Sequence, residues 1–397
     1  MKITDVRTIF VNPGGTVNYG TGYNRSWAFV KIHTDSGITG IGEAFHSLDE
    51  LVEGAIKKYK RWLIGQDPSR INYLWQGIYR GLRYPLGTAE LSALSAIEHA
   101  LWDIKGKELN VPVYSLLGGP TRDRIRLAAN PHMFSSGQSD SEMNDIVESM
   151  RILKRKGFTA AKFEPHPEGW ESMSASEIVA QSIRRIKRIR DAVGEEIDLC
   201  LDYHGRDLNP ATAICLAQEL EPFHPLYYEE PVMSQSSEMM VEARTKIKIP
   251  IAAGERAVTR TLMTDLIVKK AVHIIEPEPT ANGGITETLK LAAMAEMFDL
   301  LVAPHQAQGP VSLMVCAHIA AAINNFLIQE FNNTLQMESS CYRDVFIGGP
   351  KITNGFLVLP NVPGLGIDIE EEAAKDYPFK PYDRPIIFNS DGSVGLE

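Results

Sequence analysis

Six apolar runs recur through the middle of this chain, and each ends in an acid or a histidine. They span residues 197–202, 226–229, 249–255, 272–278, 300–305 and 326–330, and end in Asp202, Glu229, Glu255, Glu278, His305 and Glu330. The end residues are 27, 26, 23, 27 and 25 positions apart. A short buried strand, a helix and two loops need about that length. The spacing therefore predicts successive strand–helix units and a parallel sheet, open or closed into a barrel. An open sheet concentrates its site at one switch point, whereas a barrel uses the C-terminal ends of many strands. A functional residue at the end of nearly every strand selects a TIM-like barrel. Earlier in the chain, residues 160–164 put Lys162 in the same kind of place.

The flanking segments read differently. Residues 1–50 carry strand material around Ile3, Val6, Phe10 and residues 27–32, with a turn at Asp35-Ser36-Gly37. Between them, residues 12–25 are polar and glycine-rich, which predicts a mobile loop, either a lid or a plain exposed hairpin loop. Residues 50–117 read as helices; Leu94, Ile97, Leu101 and Ile104 form one stripe, ended by Asn110 and Pro112. Within the alternating region, Ile285, Leu289, Ala292 and Ala293 are expected on one helical face. After residue 345 come short strands at 355–360 and 364–369, expected to leave the barrel and return to the N-terminal part. The expected units are an N-terminal α+β domain over 1–123, a barrel over 124–344 and a returning segment over 345–397.

A chain of 397 residues accommodates a barrel and a smaller domain. Its net charge of −10 disfavours nucleic acid or an anionic membrane as partner. A small anionic substrate then needs local cations or a metal. Cys200, Cys215, Cys316 and Cys341 form no CxxC pair; Cys200 and Cys316 lie in apolar stretches and read as free thiols of a reducing compartment. With no signal-like N-terminus and no run long enough to span a bilayer, the protein is expected to be soluble and cytoplasmic.

Three strand-end carboxylates, Asp202, Glu229 and Glu255, would converge at the barrel mouth. They repel one another unless a cation sits among them. An all-oxygen donor set of this size suits Mg²⁺. Glu278 ends the strand before His305, so the two form a base and its orienting partner. His204 lies two residues past Asp202 and is placed to protonate a leaving oxygen.

These residues resemble the enolase superfamily in its mandelate-racemase-like branch, and within it the acid-sugar dehydratases of galactonate and gluconate type. The likeness runs through nearly the whole chain. It rests on residues 100–119, Asp202-Tyr-His-Gly-Arg206, Tyr228-Glu-Glu-Pro231, Gly254-Glu-Arg256, Gly283-Gly-Ile-Thr-Glu287, Ala303-Pro-His305 and Ile328-Gln-Glu330. The resemblance implies a (β/α)7β barrel under an α+β capping domain built from both ends of the chain, and a homo-oligomer. It also favours the lid for residues 12–25. It makes Asp202, Glu229 and Glu255 the Mg²⁺ ligands, and His305 with Glu278 the base that removes the proton α to a carboxylate. It also implies that Glu330 donates a hydrogen bond to that carboxylate, that Lys162 stabilises its charge, and that His204 expels the β-hydroxyl. Two residues depart from the family pattern. Lys162-Phe163-Glu164 replaces a Lys-x-Lys motif, which disfavours a two-base racemase, and Glu278 stands where Asp is usual.

The sequence thus predicts a Mg²⁺-dependent lyase that dehydrates an aldonate to a 2-keto-3-deoxy acid. An epimerase or racemase of a related hydroxy acid is the alternative, followed by a non-catalytic sugar-acid binder. Tyr19, Tyr23, Arg25, Arg83 and Tyr84, with His166 on a loop after Lys162, are candidate specificity residues.

Overall fold

The computed structural model describes all residues except 15–24, 46–47, 132–139, 168–169, 171–172, 206–208, 333–336, 338, 382–385, 387, 389–390 and 396–397. The chain begins with an antiparallel sheet of β1 (Ile3–Val11), β2 (Trp27–Thr34) and β3 (Thr39–Glu43), in that order. Four helices follow: α1 (Asp49–Leu63), α2 (Ile71–Arg80), α3 (Thr88–Leu109) and α4 (Val113–Leu116). Helix α1 is amphipathic and buries Val52, Ile56, Tyr59 and Leu63. Helix α3 is buried nearly all round, because the sheet covers one side and the rest of the molecule the other. It stops at Asn110, whose φ of 56° suits an αL cap.

The alternating region then runs through β4 (Arg124–Ala129), α5 (Asp140–Arg155), β5 (Ala160–Phe163), α6 (Ala175–Val193), β6 (Asp198–Asp202), α7 (Pro210–Leu220), β7 (Tyr227–Glu229) and α8 (Ser237–Lys246). It continues with β8 (Ile251–Ala253), α9 (Arg260–Val268), β9 (Ile274–Ile275), α10 (Ile285–Glu296), β10 (Leu301–Val302), α11 (Pro310–Ala322) and β11 (Gln329–Phe331). Strands β4 to β10 pair in parallel in sequence order, and β11 pairs in parallel with β4. A parallel bridge between Val302 and Phe326 joins β10 to the segment entering β11, so the sheet closes. The result is an eight-stranded barrel with seven intervening helices.

The chain ends with α12 (Ser340–Val345), β12 (Phe346–Gly348), β13 (Lys351–Thr353), β14 (Phe356–Val358), β15 (Ile367–Ile369) and α13 (Glu371–Ala374). The two short strands expected to return together part company. Strand β14 stays with the barrel, antiparallel to the first half of β4. Strand β15 reaches the N-terminal domain: Lys31 Nζ and Lys107 Nζ ion-pair with Asp368, and Asp103 accepts from Leu365 N. The stripe on α10 also differs from expectation. It runs through Ile285, Thr288, Leu291, Ala292 and Ala295, while Ala293 is exposed. Thr288 joins the buried face because its hydroxyl bonds Gly284 O and Asn282. No described helix is long and apolar enough to cross a membrane.

Candidate active site

The barrel interior fixes which side chains meet. Ala160, Cys200, Tyr227, Ile274, Ala303 and Ile328 form one packed cluster inside the strands. Side chains alternate across a strand, so the residue two positions on faces the same way, one step nearer the mouth. Those residues are Lys162, Asp202, Glu229, Glu276, His305 and Glu330, all buried. Glu255, Glu278 and His204 come from the turns just beyond.

Lys162 sits at the centre. Its Nζ lies 2.7 Å from Glu229, 3.2 Å from Glu330 and 3.6 Å from Asp202. Burial alone would lower its pKa, but the carboxylates of Glu229, Glu330, Asp202 and Glu276 hold it well above the usual lysine range. One ammonium does not balance so many acids. Burial, then Asp202 and Glu276, push Glu229 well above the carboxylate range, and burial pushes Glu276 up to about 8. No donor faces Glu229 Oε2 or Glu276 Oε2.

Across the mouth, His305 Nδ1 lies 2.5 Å from Glu278 Oε2 and its Nε2 lies 2.8 Å from Glu255 Oε2. Glu278 is fixed through its other oxygen, which accepts from Thr280 N at 2.7 Å and Thr280 Oγ1 at 2.5 Å. Burial disfavours the imidazolium, yet Glu255, Glu330 and Glu278 raise His305 well above the usual histidine range. Glu255 answers in the opposite sense: burial raises it, but His305 brings it well below the usual range. Glu330 links the two halves. It contacts Lys162, lies 3.7 Å from His305 Nε2, and accepts from Gln306 N and Asn332 Nδ2. His204 takes a positive φ of 55° at the turn after β6, which leaves its Nδ1 3.4 Å from Asp202 Oδ1.

All eight sequence-predicted site residues therefore reach one mouth. Of the specificity candidates, Tyr19 and Tyr23 lie outside the described residues. Arg83 and Tyr84 are exposed, and Arg25 lies near Asp49 of α1. His166 is buried against Trp170 and Tyr203, with its Nδ1 3.5 Å from Glu164 Oε1. Two residues were missed. Glu276 is a further acid on the barrel interior, and the two-residue step from buried Ile274 was the signal for it. Arg256 donates to Glu230 and to His204 O, bracing the turn that carries His204.

Among the described residues no three His, Cys, Asp or Glu side chains already converge as a metal site; Lys162 and His305 engage the acids instead. The donor set still fits a hard divalent cation. It is all oxygen, carries surplus negative charge, and includes buried carboxyl oxygens without donors.

A closed parallel barrel with an acid–base pair and clustered carboxylates at its C-terminal mouth, covered by an α+β domain, defines a class of barrel enzyme. Residues 3–118 match the mandelate racemase / muconate lactonizing enzyme N-terminal domain, and residues 145–373 the enolase C-terminal domain-like family. The chain is 37% identical to the D-galactonate dehydratase of Ralstonia pickettii, with 99% of both chains covered. It is 36% identical to the enzyme of that name from Ralstonia nicotianae, with the same coverage. An enolase from Agrobacterium radiobacter, provisionally assigned as a galactarate dehydratase and bound to sodium and L-malate, superposes with a TM-score of 0.89 at 29% identity over the whole of both chains. The chain belongs to the mandelate racemase / muconate lactonizing enzyme family of the enolase superfamily, and is an enzyme of that family.

Proposed function

We propose that this enzyme is a Mg²⁺-dependent hydro-lyase that converts an aldonate to a 2-keto-3-deoxy acid. The observation that carries the reading is the 2.5 Å His305–Glu278 pair set opposite the Lys162 cluster across one buried mouth. The full-length likeness to D-galactonate dehydratases supports the substrate class.

Asp202, Glu229 and Glu255 would hold the metal. When bound, Mg²⁺ supplies positive charge to the substrate carboxylate as electron density builds on it. The protein's own groups do the rest. His305, neutral at Nε2, removes the proton α to the carboxylate; Glu278 holds the ring through Nδ1 and stabilises the imidazolium that forms. Lys162 is a fixed cation facing the carboxylate. Burial would raise Glu330, but Lys162 and His305 hold it below the usual carboxylate range. It accepts from Gln306 N and Asn332 Nδ2, so it donates to a carboxylate oxygen only after taking up a proton. His204, on the opposite wall, gives a proton to the departing β-hydroxyl. The enol left behind becomes the ketone. Epimerisation needs a second base on the Lys162 wall. Lys162 is held protonated there by its carboxylates, and the residue two positions on is Glu164 rather than a second lysine.

The test is a panel of aldonates and aldarates incubated with enzyme and Mg²⁺, read by a 2-keto acid assay and by NMR in D₂O. Keto acid from an aldonate is the expected outcome. A stereoisomer without keto acid would establish the epimerase instead, and no change in any substrate would remove the catalytic reading.

A further inference from the structure

Glu278 and His305 each sit on a loop that runs into a helix, α10 and α11 respectively. The four barrel helices just before these cap their own first turns. Ser174, Asn209, Ser236 and Thr259 do so for α6, α7, α8 and α9. Helices α10 and α11 have glycine at that position, Gly284 and Gly309, with no side chain to offer. Their caps come from the N-terminal domain. Glu98 of α3 accepts from Ile285 N at 2.8 Å, Thr286 N at 2.9 Å and Thr286 Oγ1 at 2.5 Å. Glu43, at the end of β3, accepts from Gly309 N at 2.5 Å and Ser312 N at 2.7 Å. The glycines make room for these carboxyls. A Cβ at Gly284 would lie 2.3 Å from Glu98 Oε2, and one at Gly309 would lie 2.6 Å from Glu43 Oε1.

Both acids are fully buried, and the groups that donate to them are uncharged: backbone N–H groups of the two helices, with Thr286 Oγ1 and Trp102 Nε1 also on Glu98. The helix N-termini favour the anion, but burial outweighs them and pushes Glu98 up to about 7 and Glu43 up to about 8; as carboxylate or acid, each still accepts from the first turn of its helix. The same domain also grips the loop of Glu278 itself. Ser95 Oγ accepts from Gly283 N at 2.9 Å, Trp75 Nε1 donates to Gly283 O at 2.7 Å, and His99 Nε2 lies 3.2 Å from Pro279 O. On the other loop, Gln306 beside His305 donates to Gln308 O and Gly309 O. A shift at either cap therefore reaches the pair within a few residues.

We infer that Glu98 and Glu43 are positioning residues for the Glu278–His305 pair: the capping domain sets the geometry of the base by capping the two helices behind it. The inference rests on the dehydratase reading for what the pair does, but the geometry is independent of substrate. Glu98→Gln keeps the shape of the side chain but turns one acceptor into a donor facing a donor.

Two readouts test it on the full-length enzyme. The His305 Nδ1 proton, held against Glu278, gives a far-downfield NMR signal without substrate, identified by its loss in His305→Asn. In Glu98→Gln this signal should move upfield and broaden. With an aldonate, kcat should fall about tenfold while KM stays within about twofold, because the base is displaced and the substrate site is not. Ser95→Ala, a milder cut on the same loop, should move both readouts less and in the same direction, and decides the matter if Glu98→Gln does not fold. In a Glu278→Gln background, Glu98→Gln should cost clearly less than tenfold. A wild-type signal and wild-type kcat in both variants would overturn the inference, as would full additivity with Glu278→Gln. If the unmodified enzyme turns over no sugar acid, the dehydratase reading fails, and the NMR signal alone still decides whether Glu98 positions His305.

Discussion

At the scale of single residues, this site is a problem of surplus negative charge. Glu276 takes it up by holding a proton. Its folded pKa of about 8 lies above the unfolded carboxyl value of about 4.3. Below the unfolded value both states are protonated and the group contributes no difference. Between the two values the unfolded chain ionises and the folded chain does not, so stability falls as pH rises, levelling off above about 8. An amide does not titrate. In EDTA, Glu276→Gln should therefore match the native protein below about pH 4 and melt a few degrees higher near pH 8. Equal melting points at both pH values would mean that Glu276 is ionised and compensated. His305 makes the complementary case. Burial lowers its pKa, and Glu255, Glu330 and Glu278 together raise it further. A metal on Glu255 removes that residue's share but leaves the share of Glu278. Because the base acts when neutral, activity rises with pH through this raised value. Glu278→Gln should move the acid limb of the kcat/KM profile to lower pH and reduce the plateau about tenfold. A limb that moves up instead would mean that Glu278 is not the partner of the base.

At the scale of elements, the strand ends were legible because each unit repeats one motif, apolar run then acid or histidine. The inward face of each strand was less legible. Taking the last residue of the run 272–278 found Glu278 and passed over Glu276, since only the pleat counted from Ile274 separates them. The capping contacts were not legible at all: Glu98 and Glu43 act on residues 187 and 266 positions away, and no local pattern marks such a pair. What the sequence did carry was the glycine that permits them. The same holds inside the capping domain, where β3 rests directly on α3 through Gly40 and Gly42. A Cβ at Gly42 would meet Ala96 O at 1.9 Å, and one at Gly40 would meet Ala100 O at 2.1 Å. Backbone cannot step aside as a side chain can. Gly42→Ala should cost about 3 kcal/mol or more in denaturant unfolding, and should lower activity further because Glu43 is the next residue. Unfolding at the native midpoint would show that β3 does not approach α3 so closely.

At the scale of the whole molecule, the two domains share too many buried polar contacts to behave separately. Glu98, Glu43, Trp75, Ser95 and His99 all bond barrel loops, and Asp103 binds both Ile41 of β3 and Leu365 of the returning segment. Separating the domains would strand these groups, each costing about 1–3 kcal/mol. Multidomain proteins often melt in steps; this one should melt once. The tryptophans allow a clean test. Trp27, Trp62, Trp75 and Trp102 are in the capping domain and only Trp170 is in the barrel, so fluorescence follows chiefly the capping domain. The proposed metal ligands are all in the barrel. Mg²⁺ at 100 times its Kd stabilises the state that binds it by about 2.7 kcal/mol. If the domains are one cooperative unit, tryptophan fluorescence and far-ultraviolet circular dichroism should give coincident melts, and Mg²⁺ should raise both equally although it touches only one domain. A fluorescence transition that stays in place while the dichroism transition rises would mean that the capping domain opens independently. The pair Glu278–His305 would then be held from a surface that comes and goes, and turnover would depend on how often the domain is closed.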